Sequence, residues 1–182
     1  MAPPTRTPRA AWVEAGAAAL AGGGPDAVRI EPLAKSLGVT RGGFYGHFKN
    51  RDALLSAILD TWERAATDEV QEQVERRGGE PRTKIRRAGA LTFSKRLLPL
   101  ELAIRDWSRR DPAVAERLRG VDNRRMEYLR SLFGTLCADP DEVEARCVLA
   151  FSLAIGNHFM AADHGPRCRA DAIELALREL LR

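Results

Sequence analysis

Apolar residues recur along this chain at spacings of three and four, in segments separated by glycine and proline. That periodicity predicts a succession of amphipathic helices. Sustained apolar–polar alternation is absent, so an all-α fold of about nine helices is expected. The first runs from about Pro8 to Ala21 and buries Trp12, Ala15, Gly16, Ala19 and Leu20 on one stripe. The run Gly22-Gly23-Gly24-Pro25 closes it, because glycine tolerates a left-handed turn and proline forbids continuation. A short helix over Ile30 to Leu37 follows, with Pro32 tolerable in its first turn. Gly38 stops it, and Thr40 is the expected N-cap of the next. Asn50 caps a long helix to about Arg77, carrying Leu55, Ile58, Leu59, Trp62, Ala66 and Val70 at helical spacing. Further helices are expected over about Thr83–Leu98, Leu100–Arg109, Ala113–Cys137 (opened by Asp111-Pro112), Asp141–His164 and Arg169 to the last residue. No solenoid-like repeat is present.

Charge sharpens this picture by its position. The net charge is +4, and residues 1–51 hold seven Lys/Arg against three acids, so the whole excess lies in the first quarter. Such asymmetry suggests a nucleic-acid-facing end on a neutral body. Three cysteines, none in a C-x-x-C pair, do not make a disulfide framework and fit a reducing compartment. The segment before Arg9 lacks the apolar core of a secretory signal. The longest charge-free apolar stretch, Cys147–Ala162, is too short to span a bilayer, which takes about 18–20 residues. A cytoplasmic protein with no membrane partner is expected.

The two short helices joined by Leu37-Gly38-Val39-Thr40 match a helix-turn-helix, whose second helix enters the DNA major groove. Phe44 and Phe48 are one helical turn apart and share a face, which packs on Leu33, Leu37 and the first helix. The opposite face centres near Gly46 and includes Gly42, Gly43, Tyr45 and His47. Each glycine costs about 1 kcal/mol of helix stability relative to alanine, which is explained if the backbone there must approach a groove closely. Arg41 is suited to a bidentate guanine contact and the Thr40 methyl to a thymine methyl. Tyr45, His47 and Lys49 are suited to phosphates, which set register rather than sequence.

The run from Leu33 through Gly38-Val39-Thr40-Arg41-Gly42-Gly43-Phe44-Tyr45-Gly46-His47-Phe48 to Asp52-Ala53-Leu54-Leu55 closely resembles the DNA-binding signature of the TetR (tetracycline-repressor) family. The Trp12–Leu20 segment and Gly24 resemble that family's first helix, so the likeness covers about residues 9–56. Three positions depart from the pattern. Arg29 stands where a hydroxyl usually caps the second helix, Pro25 where an aromatic is usual, and Gly46 where a larger side chain is common. Arg29 is expected to reach a phosphate instead.

The resemblance implies a two-domain, all-helical homodimer. Residues 1–50 would form the arm and helix-turn-helix domain, and residues 51–182 the effector-binding and dimerisation domain. The last two helices would pair with those of a second copy. The near all-round apolar character of the Asp141–His164 helix supports this independently, since such a helix must be covered on both sides. The resemblance also implies a small-molecule pocket, for which Phe93, Leu97, Trp107, Met126, Leu129, Phe133 and Phe151 are candidate lining, with Asn157 or His158 as polar anchors. An apolar lining favours a lipophilic or aromatic effector.

The expected function is therefore a ligand-responsive transcriptional regulator, a repressor by family habit, with double-stranded operator DNA, a second copy and an effector as partners. Catalysis has little support. The three histidines lack H-E-x-x-H or H-x-x-x-H spacing, and no cofactor or metal is expected. The alternatives are an architectural DNA-binding protein without an effector and a helical enzyme carrying an incidental helix-turn-helix.

Overall fold

A computed structural model describes residues 7–182; the first six residues of the proline-containing arm lie outside the described part. Among the described residues there are ten α-helices and no strand. In chain order these are α1 (Arg9–Gly23), α2 (Ile30–Ser36), α3 (Arg41–Tyr45), α4 (Arg51–Ala66), α5 (Asp68–Arg77), α6 (Pro81–Thr92), α7 (Leu98–Ser108), α8 (Pro112–Phe133), α9 (Pro140–Gly156) and α10 (Arg169–Leu180). A single 3-10 turn, Pro25–Ala27, lies between α1 and α2. None of these helices is long and apolar enough to cross a membrane.

Local chemistry explains most boundaries. Asn50 caps α4 as its sequence predicts, its Oδ1 accepting from the Ala53 amide at 2.9 Å. Asp111 does the same for α8, accepting from Ala113 at 3.0 Å and Val114 at 3.3 Å. Three boundaries differ most from expectation. The segment read as one helix from Asn50 to Arg77 is interrupted at Thr67 (φ −127°, ψ −80°). Asp68 and Glu69 then occupy the first turn of α5, where carboxylates complement the positive end of a new helix. The helix expected to reach Leu98 ends at Thr92. Pro99 sits in the first turn of α7 and opens that helix rather than closing the one before. The helix expected to reach His164 ends at Gly156, where the chain tightens into i→i+3 bonds from His158 to Ile155 and from Phe159 to Gly156, each 3.0 Å.

The chain divides into two compact units, one running to Ala66 and including Lys95–Arg119, the other made of Thr67–Ser94 and Gly120–Arg182. In the first, α1 packs on α4 and α7, and Trp12, Leu20, Phe44, Leu54, Ile58 and Ile104 are fully buried. The α1–α4 approach is close at Gly16, where a Cβ would fall 2.7 Å from Ile58 Cδ1. A buried carboxylate ties α4 to α7: Glu101 accepts from Trp62 Nε1 at 3.0 Å and pairs with Arg105 at 2.8 Å. Arg117, at the start of α8, grips Asp60 and Glu63 of α4.

The second unit is built on Ile85, Leu132, Phe133, Cys147, Ala150 and Leu181, with Met126 and Leu129 packed against them. Its last helix is held at its end by arginines: Arg82 donates to the carbonyls of Leu181 and Arg182, and Arg146 to that of Leu180. Such cations satisfy carbonyls that a helix terminus leaves without intrahelical partners.

Candidate nucleic-acid interface

Helices α2 and α3 are joined by a turn whose bonding dictates its sequence. The Val39 amide donates to Ala34 O at 3.0 Å and the Gly38 amide to Lys35 O at 3.1 Å, the paired bonds of a Schellman motif. That motif places Gly38 at φ +67°, a conformation a Cβ would strain. Helix α3 is then fixed from behind by aromatic stacking. Phe44 meets Trp12 edge-on at 5.4 Å and stacks on Phe48 at 5.4 Å, as the i, i+4 spacing predicts. Arg9 covers the outer side of Phe48, its guanidinium carbon 4.8 Å from the ring centroid.

With that face buried, the opposite one is open. Arg29, Thr40, Arg41, Gly42, Tyr45 and Lys49 are exposed, and Gly43 and His47 half-buried. Thr40 occupies the N-cap position of α3, but its side chain makes no capping bond; its carbonyl accepts from Gly43 at 3.0 Å. Arg29 is the N-cap of α2 and likewise forms no side-chain cap. A Cβ on Gly43 would meet nothing within 4 Å, and one on Gly42 only Thr40 Oγ1 at 3.7 Å. The protein's own packing therefore does not demand glycine at either position.

Two side chains have partners that local pattern did not foretell. His47 Nε2 lies 2.8 Å from the Thr7 carbonyl, tying the segment before α1 to the turn after α3. Arg41 donates to Glu31 at 3.2 Å and to the Tyr45 hydroxyl at 3.3 Å; Tyr45 and then Glu31 hold its guanidinium above the ordinary arginine value. Arg51 was also missed. Its Nε donates to Val28 O at 2.8 Å and its Nη2 to Pro25 O, which fixes the corner leading into α2.

The candidate effector residues are divided between the two units. Leu97 and Trp107 are buried in the first unit, where Trp107 lies on α7. Phe93, Met126, Leu129, Phe133, Phe151, Asn157 and His158 belong to the second. There Phe93 lies 5.5 Å from the His158 ring, and the guanidinium of buried Arg125 sits 6.0 Å from the Phe93 centroid. Burial, reinforced by Arg169, pushes the His158 pKa down, so its imidazole is held neutral near pH 7. Met126, Leu129 and Phe133 are part of the apolar core. Asn157 lines a surface groove of about 410 Å³ with Arg169, Ala170, Ile173, Glu174 and Leu177.

Residues 13–58, from α1 into α4, match the model of the bacterial regulatory proteins, tetR family. This amino-terminal domain belongs to the tetR family. Solved structures share the fold over nearly the whole length. A transcriptional regulator from Rhodococcus sp. Rha1 is 21% identical, with a TM-score of 0.72 and 96% of each chain covered. AibR, solved with isovaleryl coenzyme A and operator DNA, is 14% identical, with a TM-score of 0.69, over 95% of this chain and 97% of its own. The ketosteroid transcriptional regulator KstR2 of Mycobacterium tuberculosis is 14% identical, with a TM-score of 0.68, over 97% of this chain and 94% of its own. No curated protein matches the chain. Arg51 and the His47–Thr7 tie have only a weak sequence signal: the basic residues beside the aromatic run give no hint of their backbone partners.

Proposed function

We propose that this protein is a ligand-responsive transcriptional regulator of the tetR type. It binds a near-palindromic operator as a homodimer, acts as a repressor and is released by a small lipophilic or aromatic effector. The observation that carries the reading is the build of α3. Its back is locked by Trp12, Phe44 and Phe48, while Arg41, Tyr45 and Lys49 project around glycines whose missing side chains leave open space. Such a surface suits a groove that the backbone approaches closely. In this reading Arg41 and Thr40 contact base edges, and Arg29, Tyr45, His47 and Lys49 contact phosphates.

The dimer reading is supported by α9 and α10. Val148, Leu149 and Leu175 are exposed apolar residues on these helices, as expected of a face completed by a second copy. A two-fold pair would read half-sites about 34–36 Å or more apart. Residues 51–182 then carry effector binding and dimerisation. Phe93, Phe151 and His158 with Met126, Leu129 and Phe133 are the effector-site residues of the second unit in this reading, with Asn157 an anchor, and Leu97 and Trp107 are those of the first. AibR, solved with isovaleryl coenzyme A and operator DNA, supports a small-molecule effector.

The test is operator selection on random duplexes, then a salt titration and a metabolite screen for DNA release. A dimer neutralising several phosphates per half-site should lose affinity steeply with salt. Binding that ignores every metabolite would favour an architectural protein, and no salt-dependent binding would remove the DNA reading. Arg41→Ala should reduce discrimination between operators, whereas Lys49→Ala should weaken all duplexes alike.

A further inference from the structure

Arg41 leaves the start of α3 with its guanidinium engaged on two sides. Nη1 donates to Glu31 Oε1, from the first turn of α2, at 3.2 Å. Nη2 donates to the Tyr45 hydroxyl at 3.3 Å, and the guanidinium carbon lies 5.9 Å from the Tyr45 ring centroid. All three side chains are exposed, and an exposed ion pair adds little to stability because water screens it. Folding alone is therefore a weak reason for the arrangement.

Recognition is a better one. Arginine's long side chain carries much rotamer entropy, part of which a base contact must remove. A guanidinium has five N–H donors. Glu31 and Tyr45 take one each, and the three left are enough for the two parallel bonds to guanine O6 and N7. We infer that Glu31 and Tyr45 buttress Arg41 for reading a guanine in the major groove, and that Glu31 is a specificity-determining positioning residue. This rests on the DNA-binding reading above.

The carboxylate has a second consequence. A loose arginine on this surface would serve any phosphate, and phosphate contacts carry no sequence information. Glu31 holds Arg41 off that use and presents a negative charge that phosphates avoid. Removing the charge should therefore raise binding to unrelated DNA while lowering discrimination.

The experiment compares wild type, Glu31→Gln, Tyr45→Phe and each of these combined with Arg41→Ala. Affinities are measured on the selected duplex and on duplexes with each G·C pair changed to A·T, after thermal unfolding confirms an intact fold. Glu31→Gln should lose about ten-fold discrimination at one G·C position. It should also bind unrelated duplex more tightly, with a salt slope steeper by about one phosphate contact. Tyr45→Phe should act in the same direction on discrimination and more weakly. In the Arg41→Ala background both effects on discrimination should vanish. The buttress is overturned if wild type binds its operator but Glu31→Gln shifts matched and substituted duplexes by one common factor. It is overturned too if its effect survives without Arg41. Wild type that binds no selected duplex removes the DNA reading itself.

Discussion

Trp12, Phe44 and Phe48 are 0%, 0% and 3% exposed in the first unit, whereas Leu149 and Phe159 in the second are 59% and 65% exposed. The contrast extends to whole elements. α4 buries eight residues, and α10 has none among its buried residues. The first unit closes its core with its own chain, and even its buried carboxylate, Glu101, is matched by Trp62 and Arg105. The second closes a smaller core around Phe133 and Cys147 and leaves apolar surface outward. Position on the chain thus separates a surface finished by folding from one that the dimer proposal finishes by association.

The sharpest way to break this comparison is Phe44→Ala. It removes the ring between Trp12 and Phe48, and large-to-small changes of this kind cost about 3–5 kcal/mol. Denaturant unfolding should show that loss, with DNA binding falling alongside it. A cost below about 1 kcal/mol would mean that the aromatic stack does not hold α3. Leu149→Asp should leave the fold intact and weaken self-association at least ten-fold, read by sedimentation velocity. An unchanged oligomeric state would show that α9 is not the association face. The smallest effect concerns His158. Its folded-state pKa lies below the ordinary 6.5, so the unfolded chain takes up the proton first as pH falls. The resulting stability is present above about pH 6.5 and is lost as pH drops below it. The unfolding temperature should therefore fall between pH 7.5 and 5.5, and fall less in His158→Gln.

What the sequence disclosed followed from local rules. Asn50 and Asp111 announced helix starts because a cap and its amides are neighbours in sequence. Phe44 and Phe48 announced a buried face because one helical turn aligns them. Gly38 marked the turn that needs a positive φ. What escaped was carried by partners far along the chain. Nothing beside Glu101 in the sequence signals its burial against Trp62, 39 residues earlier in the chain. Arg51 gave no sign of the carbonyls of Pro25 and Val28. The end of α9 was misjudged because an apolar run continues through Phe159 and Met160 after the backbone has left the helix. Hydrophobic pattern there tracks exposed apolar surface, not helical conformation.

The bond between His47 and the Thr7 carbonyl also makes position 7 a useful observation post. A small environment-sensitive dye attached through Thr7→Cys, with the exposed Cys168 and half-buried Cys137 replaced, would sit beside the turn after α3. Because only the main-chain oxygen of residue 7 is used, the label leaves that tether intact. Its emission would report docking onto a duplex in real time, independently of any downstream readout of gene expression.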